Sequence, residues 1–133
     1  MFIQQNYQTR AFTAQLIPAD RYPKSAAEMR ARAAQLVVQY PHDPRPRFTT
    51  AAQRLDAGDF AGAEREARAG LAEEDLWRSI LLPQIGNGLR VFLAAAISKD
   101  RSEEVLATAR PVCAAVHDGP MRKLLEDRKL CGT

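Results

Sequence analysis

The sequence predicts an all-α fold built from short packed helices, and three observations lead there. Ala and Arg abound with Leu and Glu while Ile, Val and aromatic residues are scarce, a mixture that favours helices over strands. In RLDAGDFAGAEREARAGL, residues 54–71, a Gly58-Asp59-Phe60 step interrupts a run of helix formers and marks a turn between two antiparallel helices. That stretch also has an earlier counterpart. KSAAEMRARAAQLV (24–37) aligns with GDFAGAEREARAGL (58–71) at an offset of 34 residues, pairing Met29 with Ala63, Ala33 with Ala67 and Val37 with Leu71.

The 133 residues fit one domain, divided here into an N-terminal segment, 1–23, expected to be extended or partly helical, and a helical body, 24–133. Helix one is expected over 25–40, with Ser25 as N-cap and Glu28 completing a capping box. PHDPRP ends it, and its prolines are expected to keep 42–46 out of the next helix, which runs over 46–56. Gly58 supplies the turn, and Asp59 caps a third helix over 60–74. In DLWRSILLPQ, Pro83 either kinks an extended helix or begins a new one. A buried central helix follows to Ile97, a polar turn covers Lys99 to Arg101, and Ser102 caps a helix over 102–116. MRKLLEDRKL then makes a last helix, expected over 120–130, whose Leu124, Leu125 and Leu130 cover the remaining open face.

Thirty-four residues is the period of the tetratricopeptide repeat, and over residues 24 to about 116 the chain resembles that family, with LDAGDFAGAEREARAGL as its clearest unit. The resemblance implies about five helices, arranged as hairpins stacked into a short right-handed solenoid with a C-terminal capping helix. Gly58, Asp59, Phe60, Ala63 and Leu71 stand where the family has its turn and packing residues. The second helix departs from the pattern at Arg47, Thr50, Ala51 and Arg54. Its apolar stripe reads instead as Phe48, Ala52 and Leu55, turned by about one residue towards the side that lines the family's groove. The expected cover for this stripe is the chain's own first segment, through Phe2, Ile3, Tyr7, Phe12, Leu16 and Ile17, with a homodimer as the runner-up. YPHDPRPRF, the repeat after it and the tail ARPVCAAVHDGPMRKLLEDRKLC also resemble the soluble tetratricopeptide-like extension of some bacterial rhomboid intramembrane proteases. None of the seven glycines begins the G-x-S-G motif of such a protease. The resemblance therefore implies an appendage: cytoplasmic, tethered to a membrane protein, and regulatory or partner-binding.

The residues themselves point to no reaction. Nineteen basic and sixteen acidic side chains are interspersed, without the basic stripe of a nucleic-acid binder. MFIQQNYQTR is not a secretory signal, and SILLPQIGNGLRVFLAAAI carries Arg90, Asn87, Gln84 and Pro83, which suits a buried helix better than a membrane span. His42 and His117 are isolated, so no metal site and no cofactor are expected. If 102–116 and 120–130 pair antiparallel, Cys113 and Cys131 lie more than ~10 Å apart at about 1.5 Å per residue, and both are expected as free thiols. The glycines of IGNG read as close-packing residues rather than a phosphate cradle, and Glu73, Glu74 and Asp75 as a solvated helix end. His117 suits a helix C-terminus, where the dipole favours it.

What remains is a noncatalytic protein-interaction or assembly module with a protein or peptide partner. Its groove candidates are Arg45, Phe48, Ala52, Leu55, Arg90 and Trp77, the last with buried core as its plainer reading. Gly58, Asp59, Ala63 and Ala67 make the turn and the close helix contact. Two alternatives stay open: Arg45, Arg47, Arg54, Arg65 and Arg68 receiving an acidic peptide or nucleic acid, and an enzyme with a site of unfamiliar type.

Overall fold

The computed structural model describes residues 11–98 and 103–131. Seven α-helices carry these residues: α1 (Ala26–Gln39), α2 (Pro44–Asp56), α3 (Phe60–Leu71), α4 (Glu74–Trp77), α5 (Pro83–Ile97), α6 (Glu103–Ala115) and α7 (Gly119–Asp127). No strand occurs among the described residues. The turn expected at Lys99–Arg101, the Ser102 cap and the apolar residues Phe2, Ile3 and Tyr7 lie outside them.

Local chemistry explains most of the boundaries. Ser25 accepts the Glu28 N–H at 3.1 Å, as a capping box requires, but the Glu28 carboxylate reaches one residue further back, to the N–H of Lys24 at 2.8 Å. Helix α2 begins two residues earlier than the prolines led us to expect. Asp43 caps it, and Pro44 and Pro46 occupy its first turn, where an N–H has no partner within the helix and its loss costs nothing. At the other end of α2 the chain closes a Schellman motif: Gly58 has φ 78° and donates to Leu55 O at 3.0 Å, and Asp59 N donates to Arg54 O at 2.8 Å. Asp59 then turns to its second task and accepts the Gly62 N–H at 2.9 Å, capping α3. Helix α3 ends at Leu71 rather than 74, because the next residues form the separate one-turn helix α4. Pro83 begins a new helix, α5, instead of kinking an older one.

Helix α5 is the hub of the packing: α2 and α3 pack against it, and so do α6 and α7. Its buried face includes Leu89, Val91, Phe92, Leu93, Ala94 and Ala95, so the longest apolar run of the chain is an interior helix. No helix among the described residues is long and apolar enough to cross a membrane. Ala63 and Ala67 are wholly buried on α3, whose contact with α2 is the most extensive in the molecule. On α2 the deepest residues are Pro44, Pro46, Thr50 and Ala51, while Phe48, Ala52 and Leu55 are only partly buried. The reason is that α2 is flanked by α1, α3 and α5 together, so its small face is enclosed and its large one lies at the margin.

The expectation of free thiols is overturned. Cys113 and Cys131 form a disulfide, with Cα atoms 5.4 Å apart. The last helix stops at Asp127, and Lys129 takes a left-handed backbone, φ 56°. Lys129 N donates to Glu126 O and Leu130 N to Leu125 O, a second Schellman motif that turns the chain back. Cys131 is thus returned to Cys113 instead of extending away from it. Leu125 and Leu130 are buried in the same cluster as Val105, Ala109 and Val112, with Leu124 packed at its edge.

The first segment is not separate from the body. Phe12 and Leu16 are buried beside Trp77 and Leu89, and Ile17 beside Met29, Ala33 and Leu36. Residues 11–13 are helical, and a single 3-10 turn forms over Ala19–Arg21.

Candidate functional site

The arginines offered by the sequence as a binding face are engaged within the chain. Arg45 makes two bonds to Asp43, Nε to Oδ1 at 3.0 Å and Nη2 to Oδ2 at 2.7 Å, and its guanidinium lies over the Tyr22 ring at 4.3 Å. Burial by itself lowers the Arg45 pKa, but the Asp43 bonds outweigh it and the net direction is upward, so the charge is fixed in place. Burial pushes the Tyr22 phenol up against the opposing pull of Arg45. Arg47 bonds Glu66 at 2.9 Å across the α2–α3 contact, with the two side chains only 15% and 10% exposed. Arg54 pairs with Asp59, Arg65 with Glu66, and Arg68 with Glu64 and Glu104, the Glu104 bond being the larger cause of its raised pKa. These acids lie within one turn or on a facing helix, so the arginine surface is compensated.

The acidic run is likewise more than a solvated helix end. Glu74 holds the Arg90 guanidinium through two bonds, with Oε2 at 2.8 Å from Nη1. Its carboxylate lies over Gly86, where a methyl group would collide with it. Glu73 bonds His42 Nδ1 at 2.9 Å, so that histidine is not isolated. His117 is exposed one residue beyond the Val116 turn that follows α6, and Asp118 caps α7 in position only, with no side-chain bond.

Of the hydrophobic candidates, Trp77 is 1% exposed, and its Nε1 donates to Gly70 O at 3.0 Å. It is core, and no surface anchor. Phe48 turns towards α5: it meets the Phe92 ring edge-on, with centroids 5.0 Å apart, and a methyl at Gly88 would overlap it. The IGNG glycines therefore sit in packed positions. Phe48 packs against the cluster that holds Phe12, Leu16, Trp77 and Leu89, while Ala52 and Leu55 stay half-buried.

Beyond Phe48 lies an open groove of about 650 Å³, which brings together two of the candidate residues, Arg45 and Phe48, but not Ala52, Leu55, Trp77 or Arg90, and most of whose lining the sequence did not single out. Its apolar wall is Met29 of α1, Phe48 of α2, and Ile80, Leu81 and Ile85 around the start of α5, with Leu82 at the rim 67% exposed. Its polar lining includes Lys24, Arg30 and Arg45, and no Asp or Glu lines it. The opening turns of two helices meet there, Ser25 and Ala26 of α1 and Leu82, Gln84 and Ile85 of α5. Neither the chain nor any part of it matches a family model, a curated protein or a solved structure. The groove must accordingly be read from its own chemistry. An aliphatic run, SILLPQI, broken by a proline at a helix start was the available signal: Pro83 ends the preceding turn and leaves Leu82 with little to pack on.

A second, polar depression of about 270 Å³ lies beside Asp20, Glu28, Arg32 and Tyr40. The Glu28 carboxylate there is held below the usual glutamate range, chiefly by the Lys24 N–H it accepts and further by Arg32. Among the described residues no group of three or more His, Cys, Asp or Glu side chains could hold a metal ion.

Proposed function

We propose that this chain is a noncatalytic binding module built on tetratricopeptide-like helix hairpins, and that the groove between α1, α2 and the start of α5 is its working surface. One observation carries the reading: a largely apolar cleft of about 650 Å³ with Leu82 standing at its rim in water. Small domains seldom leave such a cleft uncovered unless something docks in it. The titratable groups of its lining are cations and one tyrosine, which offers no carboxylate to act as a general base. For the hairpin repeat, the support is that positions 34 apart are treated alike: Met29 and Ala63 are buried, Ala33 and Ala67 are wholly buried, and Val37 and Leu71 are partly buried. A module of this type would suit the membrane-protein appendage that the rhomboid-like tail implies, with the partner in or beside that membrane protein.

The test is a displayed-peptide selection carried out in parallel on the wild-type chain and on Leu82→Glu. Leu82 is exposed, so the substitution should spare the fold, and it places a charge at the mouth of the groove. Peptides enriched on the wild type should lose at least about tenfold in affinity on the variant, or roughly 1.4 kcal/mol. Enrichment indifferent to Leu82→Glu would remove the groove from consideration.

A further inference from the structure

We infer that the occupant of the groove is an acidic amphipathic peptide segment, apolar on the side that enters and carboxylate-bearing along the edge that meets Lys24 and Arg30. This rests on the groove being the working surface and goes further by naming what it selects.

Charge complementarity is the first argument. Three cations and no carboxylate line the cleft. Arg45 is spent on Asp43, but Lys24 and Arg30 are exposed and their side chains form no salt bridge among the described residues. Helices α1 and α5 both present their N-terminal ends, which carry partial positive charge, and the α5 cap residue is Leu82, whose side chain cannot accept a bond from the first turn. Glu28, the nearest acid on α1, is tied to Lys24 N and Arg32 and lines the neighbouring polar depression, which Lys24 borders as well. A ligand's carboxylate would thus meet a lining of net positive charge, with Arg30 its cation furthest from any ion pair.

The second argument is shape. The cleft is open along one side, where Leu82 and Gln84 are exposed. It can dehydrate one face of an occupant and leaves the other in water. An amphipathic helix or strand accepts that division, whereas an acyl chain would leave much of its length in solvent and gain little from docking. The chain's own first ten residues, MFIQQNYQTR, contain Arg10 and no acid, so they lack the complementary charge.

The experiment measures fluorescence anisotropy of a labelled amphipathic peptide about four helical turns long, with Leu and Phe on one face and Glu on the other, added to the full chain. A matched peptide with Gln for every Glu, and oleate, are the comparison ligands. The acidic peptide should bind about tenfold more tightly than its Gln counterpart at low salt, with the advantage shrinking as salt is added. The double variant Lys24→Glu/Arg30→Glu should erase that advantage while leaving the thermal melt intact, because both side chains are exposed. Leu82→Glu should weaken both peptides. Equal binding of the two peptides, both lost in Leu82→Glu, would overturn the acidic preference and leave the groove standing. Binding of neither, or binding untouched by Leu82→Glu, would overturn the groove as well. Saturable oleate binding without acidic-peptide binding would make the occupant a lipid acid and sink the inference.

Discussion

The two ends of the molecule are held together by different physics. In the C-terminal half, Val91 and Ala94 of α5 pack with Val105, Ala109, Val112, Leu125 and Leu130, and a disulfide closes the chain over them. In the N-terminal half the fully enclosed positions on α1, α2 and α3 include Ala33, Ala51, Ala63 and Ala67. Alanine lets helix backbones come close but removes little apolar surface from water, and each Å² contributes only about 25 cal/mol. The large side chains of that half, Phe12, Leu16, Leu36 and Trp77, are buried at its margins with α1, α4 and the first segment, and directional polar contacts tie its helices together. Asp43, with no exposed surface, accepts the N–H groups of Ile17 and Arg45 and two guanidinium bonds. Glu66, also buried, ties α3 to Arg47 on α2. Both halves bury apolar area; a covalent link closes one, and buried ion pairs lock the other.

The comparison can be broken most sharply at Asp43. Asp43→Ala leaves the Arg45 guanidinium and the Ile17 N–H without their acceptor in a buried setting, and urea titration should show a loss of about 3–5 kcal/mol. Asp43→Asn, which keeps an acceptor oxygen, should lose less. A loss below about 1 kcal/mol for the alanine variant would mean that the N-terminal half is held by packing after all.

Next in size is the disulfide. Replacing Cys113 and Cys131 with serine opens a link across 18 residues and should cost about 3 kcal/mol. Hydrogen exchange should then accelerate in α6 and α7 while α1 to α3 keep their protection. Equal acceleration everywhere would erase the distinction between the halves.

The smallest effect separates the two Schellman turns. In Gly58→Val nothing lies within 4 Å of the new Cβ, so the cost is chiefly that of the φ 78° backbone, about 1 kcal/mol or more. Lys129→Gly at φ 56° should run the other way and hold or raise the melting temperature. If both substitutions shift the melt in the same direction, the backbone account of these turns fails.

This pair of turns also explains what could be read in the sequence. Gly58 announced its turn, and with it the boundary between α2 and α3, because glycine is the residue such a conformation favours. Lys129 announced nothing: a lysine before a leucine continues a helical pattern, so the reversal that joins Cys131 to Cys113 was concealed. The helical class was legible from composition, and the caps at Ser25 and Asp59 from residue type. The pairing of Arg90 with Glu74 was not, since sixteen residues separate them and only the docking of α4 on α5 brings them together. The groove was least legible. Its wall is drawn from three stretches of chain, and the residue that advertises it, Leu82, looks in sequence like any other member of an aliphatic run.

Trp77 is the only tryptophan in the chain, and it is sealed among Phe12, Leu16 and Leu89 with its indole N–H held by Gly70. The molecule therefore carries its one indole, selectively excited at the red edge of the aromatic absorption, at the joint where its first segment meets the helical body. Emission from an indole so shielded from water is blue-shifted, and it reddens when water arrives. Loss of the first segment from its seat would alter the colour of the emitted light while the helices remained folded, so an emission shift that precedes the loss of far-ultraviolet helical signal marks undocking of residues 11–17, and one that coincides with it marks unfolding of the whole.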